Sequence, residues 1–314
     1  MDGGYNGRLR EIGRDDLHRG VRGSRKTYGF VYAALAVHTL FCAGTYLVAK
    51  GAVVEIAPLV FAFYRFLVAS AVFIVIIAFR KSFFPFEKKD LPMLLLLSFL
   101  IYPVNQTFFL IGISYTLPTH AALLYASTPV WVYLLSILRK EEKSSHGKTI
   151  GIAVALAGVI AFFAEKGIAL KWDYFLGNFL VMIAVWAWAA YSVLGKPLVK
   201  KWGAFTVTAW ASIIGALIYS PLGIYQAAGF DYTDVGIVGW SGVAYTAILT
   251  SVIAYTLWYW GIKHFSPSRV AVFMYLQPVV AAILAYYILY ERLSSGSIIS
   301  GLIILAGVSI AQRD

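Results

Sequence analysis

The sequence predicts an all-α integral membrane protein: ten transmembrane helices forming two five-helix repeats of inverted topology around a central cavity. Three observations carry this reading. The 314-residue chain is 60% hydrophobic and only 13% charged, with a mean hydropathy of +0.76, and its apolar residues lie in long runs. A soluble domain would hold about twice that charge. Residues 112–159 recur 149 positions later without a gap: Gly112-Ile113 returns as Gly261-Ile262, Pro118 as Pro267, Pro129-Val130 as Pro278-Val279, Glu142 as Glu291, Gly147 as Gly296, and Leu156-Ala157-Gly158-Val159 as Leu305-Ala306-Gly307-Val308. Shared hydrophobicity does not explain the proline, glutamate and glycine matches, so this is an internal repeat. Finally, Lys and Arg divide unevenly between alternate loops.

The first 27 residues hold Arg8, Arg10, Arg14, Arg19, Arg22, Arg25 and Lys26 among several glycines. No apolar core with a small-residue cleavage site follows, so they do not read as a cleaved signal peptide. They read as a flexible basic cytoplasmic tail that orients the first span; anionic lipid headgroups are the lesser alternative, and nucleic acid is not expected. Apolar runs of about 20 residues then mark spans. In the first repeat, 28–164, they fall at 28–49, 58–79, 91–112, 117–138 and 148–164. In the second, 176–312, they fall at 176–196, 204–225, 236–260, 269–290 and 293–311.

Positive charge in short loops faces the cytoplasm. With these spans, 21 Lys/Arg lie on the side of the tail and four (Lys50, Lys166, Lys171, Arg292) on the other, with Arg65 inside a span. Both termini are therefore expected in the cytoplasm of a multi-pass cell-membrane protein. Five is an odd number, so the second half enters from the opposite face. Glu142 then closes span 4 on the cytoplasmic side and Glu291 closes span 9 on the outer side. Inverted repeats are common in secondary transporters, which bind substrate near the midplane between the halves.

The repeated pattern resembles the EamA domain of the drug/metabolite transporter superfamily, once in each half. It reads Pro129, Glu142, Gly147, Gly151 and Gly158-Val159, then Pro278, Glu291, Gly296, Gly301 and Gly307-Val308. Phe63-Tyr64-Arg65-Phe66 resembles the family's arginine-containing second helix, and span 7 departs from it, with Trp210 near the matching position. The resemblance covers about 28–312. It implies a ten-helix exporter or facilitator of small metabolites, often amino acids or their relatives. It also implies that spans 1, 3, 4, 6, 8 and 9 surround the cavity and that spans 5 and 10 act as scaffold.

Polar groups inside a membrane need a partner or a wet cavity. On that ground His38, Tyr46, Arg65, Asn105, Gln106, Tyr125, Trp186, Trp188, Tyr191, Tyr275 and Gln277 are the candidate substrate-binding residues. Each also has a structural reading. Arg65 can snorkel outward or bond carbonyls at helix ends, against capture of a substrate carboxylate by its planar fork. A lone histidine such as His38 or His120 is usually satisfied by one hydrogen bond, against a proton relay. Asn105-Gln106-Thr107 can bind helices together, and the span-6 aromatics can be packing rather than a pocket for a flat or apolar substrate. Trp258 and Trp260 read as interface anchors. Pro129 and Pro278, each preceded by a polar residue (Thr128, Gln277), free a carbonyl and permit a bend, so they are candidate gates. Glu142 and Glu291 read as structural, bracing the 4–5 and 9–10 turns from the N-terminus of the following span. Gly147, Gly151, Gly158 and Gly307 permit close helix approach; dimerisation is the alternative for Gly147-x-x-x-Gly151, and a monomer is expected.

Several function classes drop out. Cys42 is the only cysteine, so no intramolecular disulfide, C-x-x-C redox site or cysteine zinc site can form. Gly147-Lys148-Thr149 lacks the first glycine and the strand of a phosphate loop. Gly239-Trp240-Ser241-Gly242 resembles an intramembrane serine protease motif, but no histidine follows it within a span. No metal site, cofactor or enzymatic activity is expected. The reading is a carrier of small organic metabolites, amino acids or related compounds, working by alternating access in a lipid bilayer. The alternatives are an exchanger of phosphorylated or nucleotide-linked solutes, and a channel or lipid-handling protein. No Asp or Glu lies deep in a span, which favours facilitated diffusion or exchange over ion coupling.

Overall fold

In hydrocarbon an unpaired backbone N–H or C=O has no water to bond, so apolar runs of this length fold as helices. The computed structural model describes residues 5–81, 83–165, 174–280 and 295–313, and no strand occurs among them. Among the described residues eight helices are long and apolar enough to cross a membrane, and the chain is a multi-pass membrane protein. Helix α1 is Tyr5–Glu55 and α2 is Pro58–Arg80. The third span, α3, is Lys88–Tyr115. The fourth, α4, has two pieces, Pro118–Tyr125 and Thr128–Leu138. Next come α5, His146–Glu165, and α6, Phe175–Leu194. A short helix, Lys196–Trp202, leads into α7, Ala204–Ala228. The eighth, α8, is Ile237–His264. The ninth, α9, opens with Pro267–Ala271 and a 3-10 turn at Val272–Tyr275. Its continuation beyond 280, with Glu291, lies outside the described residues. The last, α10, is Ser295–Arg313, of which Ile298–Arg313 is apolar and shorter than the rest.

Helix α1 begins at Tyr5 and includes the basic segment. Arg, Leu and Glu favour helix and outweigh the scattered glycines there.

The packing follows the repeat. Helices α5 and α10, which are repeat mates, lie antiparallel: Gly151 faces Ala311, Ala155 faces Gly307, and Gly158 faces Ile304. Only a missing side chain allows this approach, since a Cβ on Gly158 would stand 2.9 Å from the Ile304 nitrogen. The repeat mates α2 and α7 also run antiparallel: Tyr219 Oη donates to the Leu59 carbonyl (3.0 Å) and Ser70 Oγ to the Ser212 carbonyl (3.4 Å). Helix α3 packs on α6 through Gly112 and Gly177, and α1 packs on α8 through Ala52 and Gly242. The repeat exchanges these last two pairs, and every one of these contacts joins one half to the other. Antiparallel mates are what an odd number of spans per repeat requires.

Two irregularities are also mates. Leu100–Gln106 in α3 and Thr246–Ala254 in α8 are π-helical, and a shift of 149 brings the first onto 249–255. Pro103 supplies a cause in the first, since it has no N–H to give. Wide turns of this kind often mark functional sites. Helices α5 and α10 close a separate core with Ala126, Tyr133, Val272 and Tyr275 of α4 and α9, so they stand apart from the main helix cluster.

Candidate functional site

The cavity lies where the halves meet. It is partly open, and about 400 Å³ of space there, open solvent included, is free of protein atoms. Helix α1 lines it with His38, Cys42, Thr45 and Tyr46, at the i, i+4, i+7 and i+8 positions of one helix face. The other walls are Asn105, Gln106 and Phe109 of α3, Tyr125 of α4, Trp188 of α6, Thr250 and Tyr255 of α8, and Met274 and Gln277 of α9. These are the six spans that the EamA resemblance implies.

Hydrogen bonds fix most of the polar lining. Asn105 Nδ2 donates to Tyr125 Oη (3.0 Å) and to the Ala184 carbonyl (2.6 Å), and Gln106 Nε2 donates to Asn105 Oδ1. Tyr46 Oη donates to Gln277 Oε1 at 2.8 Å and so ties α1 to α9 across the cavity. Thr45 and Thr250 hydroxyls meet at 2.8 Å. His38 Nδ1 lies 3.0 Å from the Ala254 carbonyl, which can only accept, so Nδ1 carries the proton. Cys42 Sγ rests 3.7 Å from His38 Nε2. The Trp188 ring packs on Tyr255 (4.7 Å) and Trp258 (5.4 Å), and its indole N–H has no partner among the described residues.

Seven of the eleven residues singled out in the sequence line this cavity: His38, Tyr46, Asn105, Gln106, Tyr125, Trp188 and Gln277. Four do not. Trp186 is 43% exposed and packs against Trp131. It stands two positions before Trp188 in the helix, which turns it to the far side. Tyr191 stacks on Tyr259 at 4.5 Å, and Tyr275 donates to the Ile152 carbonyl in the second core. Arg65 neither snorkels outward nor caps a helix; it is fully buried, with Nε donating to Ser251 Oγ (3.1 Å) and Nη2 reaching Tyr255 Oη at 3.5 Å. Trp210 packs on Phe84 of the 2–3 connection, away from the cavity. Trp258 is no interface anchor: it is fully buried, donates to Ser192 Oγ and packs on His38.

Sequence reasoning missed Cys42, Thr45, Phe109, Thr250, Tyr255 and Met274. The first two share the α1 face with His38 and Tyr46, which regular spacing could have revealed. Thr250 and Tyr255 are five apart, a spacing that shares a face only through the π-helical stretch.

Charged groups sit at the ends of the bundle. At one end Glu142 takes the backbone N–H (3.1 Å) and hydroxyl of Ser268 at the start of α9, and Lys148 Nζ of α5 at 2.9 Å. Burial pushes the Glu142 carboxyl up, but the Ser268 and Lys148 bonds outweigh it and hold the group below the usual carboxylate value. Glu142 therefore bridges the halves as well as bracing the 4–5 turn. Glu55 accepts from Gly236 and Gly239 N–H at the start of α8. Lys50 donates to the Ile113, Ser114 and Thr116 carbonyls where α3 ends. No group of three or more His, Cys, Asp or Glu that could hold a metal occurs among the described residues.

A family model for EamA-like transporters matches twice, at residues 29–164 and 175–312. The chain belongs to the EamA-like transporter family. Among EamA relatives it is 31% identical to the uncharacterized transporter YetK of Bacillus subtilis, over 83% of this chain and 80% of that one. It is 29% identical to an uncharacterized transporter of Archaeoglobus fulgidus, over 87% and 94%, and 26% identical to the protein WALLS ARE THIN 1 of Arabidopsis thaliana, over 85% and 78%. A solved crystal structure matches the EamA fold seen here with a TM-score of 0.72 at 19% identity, covering 90% of this chain and 96% of its own.

Proposed function

We propose that this protein carries small organic metabolites, amino acids or related compounds, across the cell membrane by alternating access, with the substrate held in the central cavity. The observation that carries the reading is the position of that cavity, lined by six helices drawn from both halves of a duplicated transporter-family chain. Two halves of like shape and opposite sense can close opposite ends in turn. The lining mixes amides and hydroxyls with aromatic rings, which suits a compact solute with both polar and apolar parts.

Among the described residues the lining includes no carboxylate, which favours facilitated diffusion or exchange over proton or sodium coupling. The division of Lys and Arg between loops supports cytoplasmic termini, and export is the direction expected. Purified protein in liposomes tests the reading against a panel of radiolabelled amino acids. Saturable uptake stimulated by unlabelled substrate on the far side is expected, and flux that never saturates would point to a channel instead.

A further inference from the structure

A second groove opens at the end of the bundle that gathers most of the Lys and Arg. Arg80 ends α2, Phe205 and Thr206 begin α7, and Leu257, Trp260 and Lys263 lead to the end of α8; all of them line it. About 960 Å³ of space there, open solvent included, is free of protein atoms. It shares no lining residue with the central cavity. The Arg80 guanidinium lies over the Phe205 ring, 4.8 Å from its centre, so it reaches from α2 to the start of α7. Neither Arg80 nor Lys263 joins an ion pair among the described residues. The lining changes along α8. Leu257 lies deepest, Trp260 one turn nearer the helix end, and Lys263 at the end itself. Over a rise of about 9 Å the groove passes from an apolar side chain, through a ring suited to the membrane interface, to positive charge. Phe79, 85% exposed beside Arg80, continues the apolar surface outward. The repeat does not copy this feature. A shift of 149 sets Gly229 against Arg80 and Ser114 against Lys263, so the matching place at the other end has neither cation.

Two unpaired cations above an apolar slot fit an amphiphile with an anionic head. We infer that this groove holds an anionic phospholipid, its phosphate received by Arg80 and Lys263 and an acyl chain lying along Leu257 and Phe205. Basic pockets between transmembrane helices recur as sites for such headgroups, and the guanidinium fork matches a phosphate. A free phosphate would use the cations and leave the apolar end of the groove empty, which is why the lipid is the occupant. In the orientation proposed above, this end meets the negatively charged cytoplasmic leaflet. The lipid ties the end of α2, from the first half, to α7 and α8, from the second. The inference goes beyond the transport reading and holds whatever the central cavity carries.

The test titrates purified full-length protein in detergent with dioleoyl phosphatidylglycerol, dioleoyl phosphatidylcholine or inorganic phosphate at one ionic strength. Apparent affinities are read from the rise in melting temperature. The two lipids share their chains, so the headgroup alone separates them. Phosphatidylglycerol should bind roughly tenfold or more tighter than phosphatidylcholine, the scale of two cations near a membrane surface. Inorganic phosphate should leave the melting temperature unchanged. The double variant R80Q/K263Q should lose most of the preference. K143Q/K200Q removes two exposed charges from the same end but outside the groove, and should keep it. Equal affinity of the wild type for both lipids would overturn the inference, and that comparison stands even where R80Q/K263Q does not fold. An equal loss in K143Q/K200Q would overturn the site and leave only diffuse surface charge. Stabilisation by inorganic phosphate as strong as by phosphatidylglycerol would overturn the lipid as the occupant.

Discussion

Trp186 and Trp188 stand two residues apart in α6 and face different surroundings, one partly exposed beside Trp131 and the other in the cavity wall. Composition marks both as candidates, and only the angle of the helix separates them. Replacing Trp188 with alanine should therefore raise the apparent KM or lower the transport rate several-fold while expression holds, and so should Gln106→Ala. Trp186→Ala should leave liposome kinetics near wild type. A reversal of that order would mean that α6 turns the other way. Tyr46 and Gln277 make a direct link between halves inside the cavity. Tyr46→Phe removes one hydrogen bond without opening a void, so kinetics should change while thermal stability falls by about 1 kcal/mol.

The helices themselves follow from long apolar runs, but their packing depends on a few small residues. Helices α5 and α10 touch through Gly151, Gly158 and Gly307. A Cβ on Gly307 would stand 2.7 Å from Ala155 Cα, with backbone on the other side that cannot swing away. Gly307→Val should cost about 1–3 kcal/mol or more through overpacking, read as a lower melting temperature in detergent. Substitution at Gly29, which has no atom within 4 Å of the new carbon, should cost far less. The Glu142 brace acts at the element ends. Its carboxyl is held lower in the folded chain than in the unfolded one, so its contribution is present above the ordinary carboxylate range. It is lost as pH falls through the lowered folded value. Melting temperature should therefore fall on acidification in that window, and Glu142→Gln should lower it at neutral pH while flattening the dependence.

At the scale of the whole molecule, contacts between halves outnumber simple neighbour packing along the chain: α1 on α8, α2 on α7, α3 on α6, α5 on α10. A cavity at such a seam changes access when the halves tilt. Cys42 reports on this directly, because it lines the cavity and is the chain's only cysteine. A membrane-impermeant thiol reagent should label it from either face of a proteoliposome, and bound substrate should slow both reactions. Labelling from one face under all conditions would argue against alternating access. The paired π-helical stretches of α3 and α8 flank the seam, and they carry Asn105, Gln106 and Thr250 into the cavity. Straightening one of them, as by Pro103→Ala, should disturb transport more than stability.

The sequence by itself determined the membrane class and the duplicated halves, because hydropathy and repeat spacing are properties of the chain alone; the six lining helices came only from the resemblance to the EamA family. It also placed His38, Asn105, Gln106 and Gln277 among the candidates, since a polar group in an apolar run stands out without coordinates. Tertiary structure alone decided which aromatic ring faces inward, since rotation about a helix axis depends on neighbours that sequence spacing does not name. It brought Thr250 and Tyr255 to one face through a π-helical turn that regular periodicity does not anticipate. It also placed Arg65 beside hydroxyls and no acid, where the state of the charge depends on contacts between residues 186 and 190 positions apart.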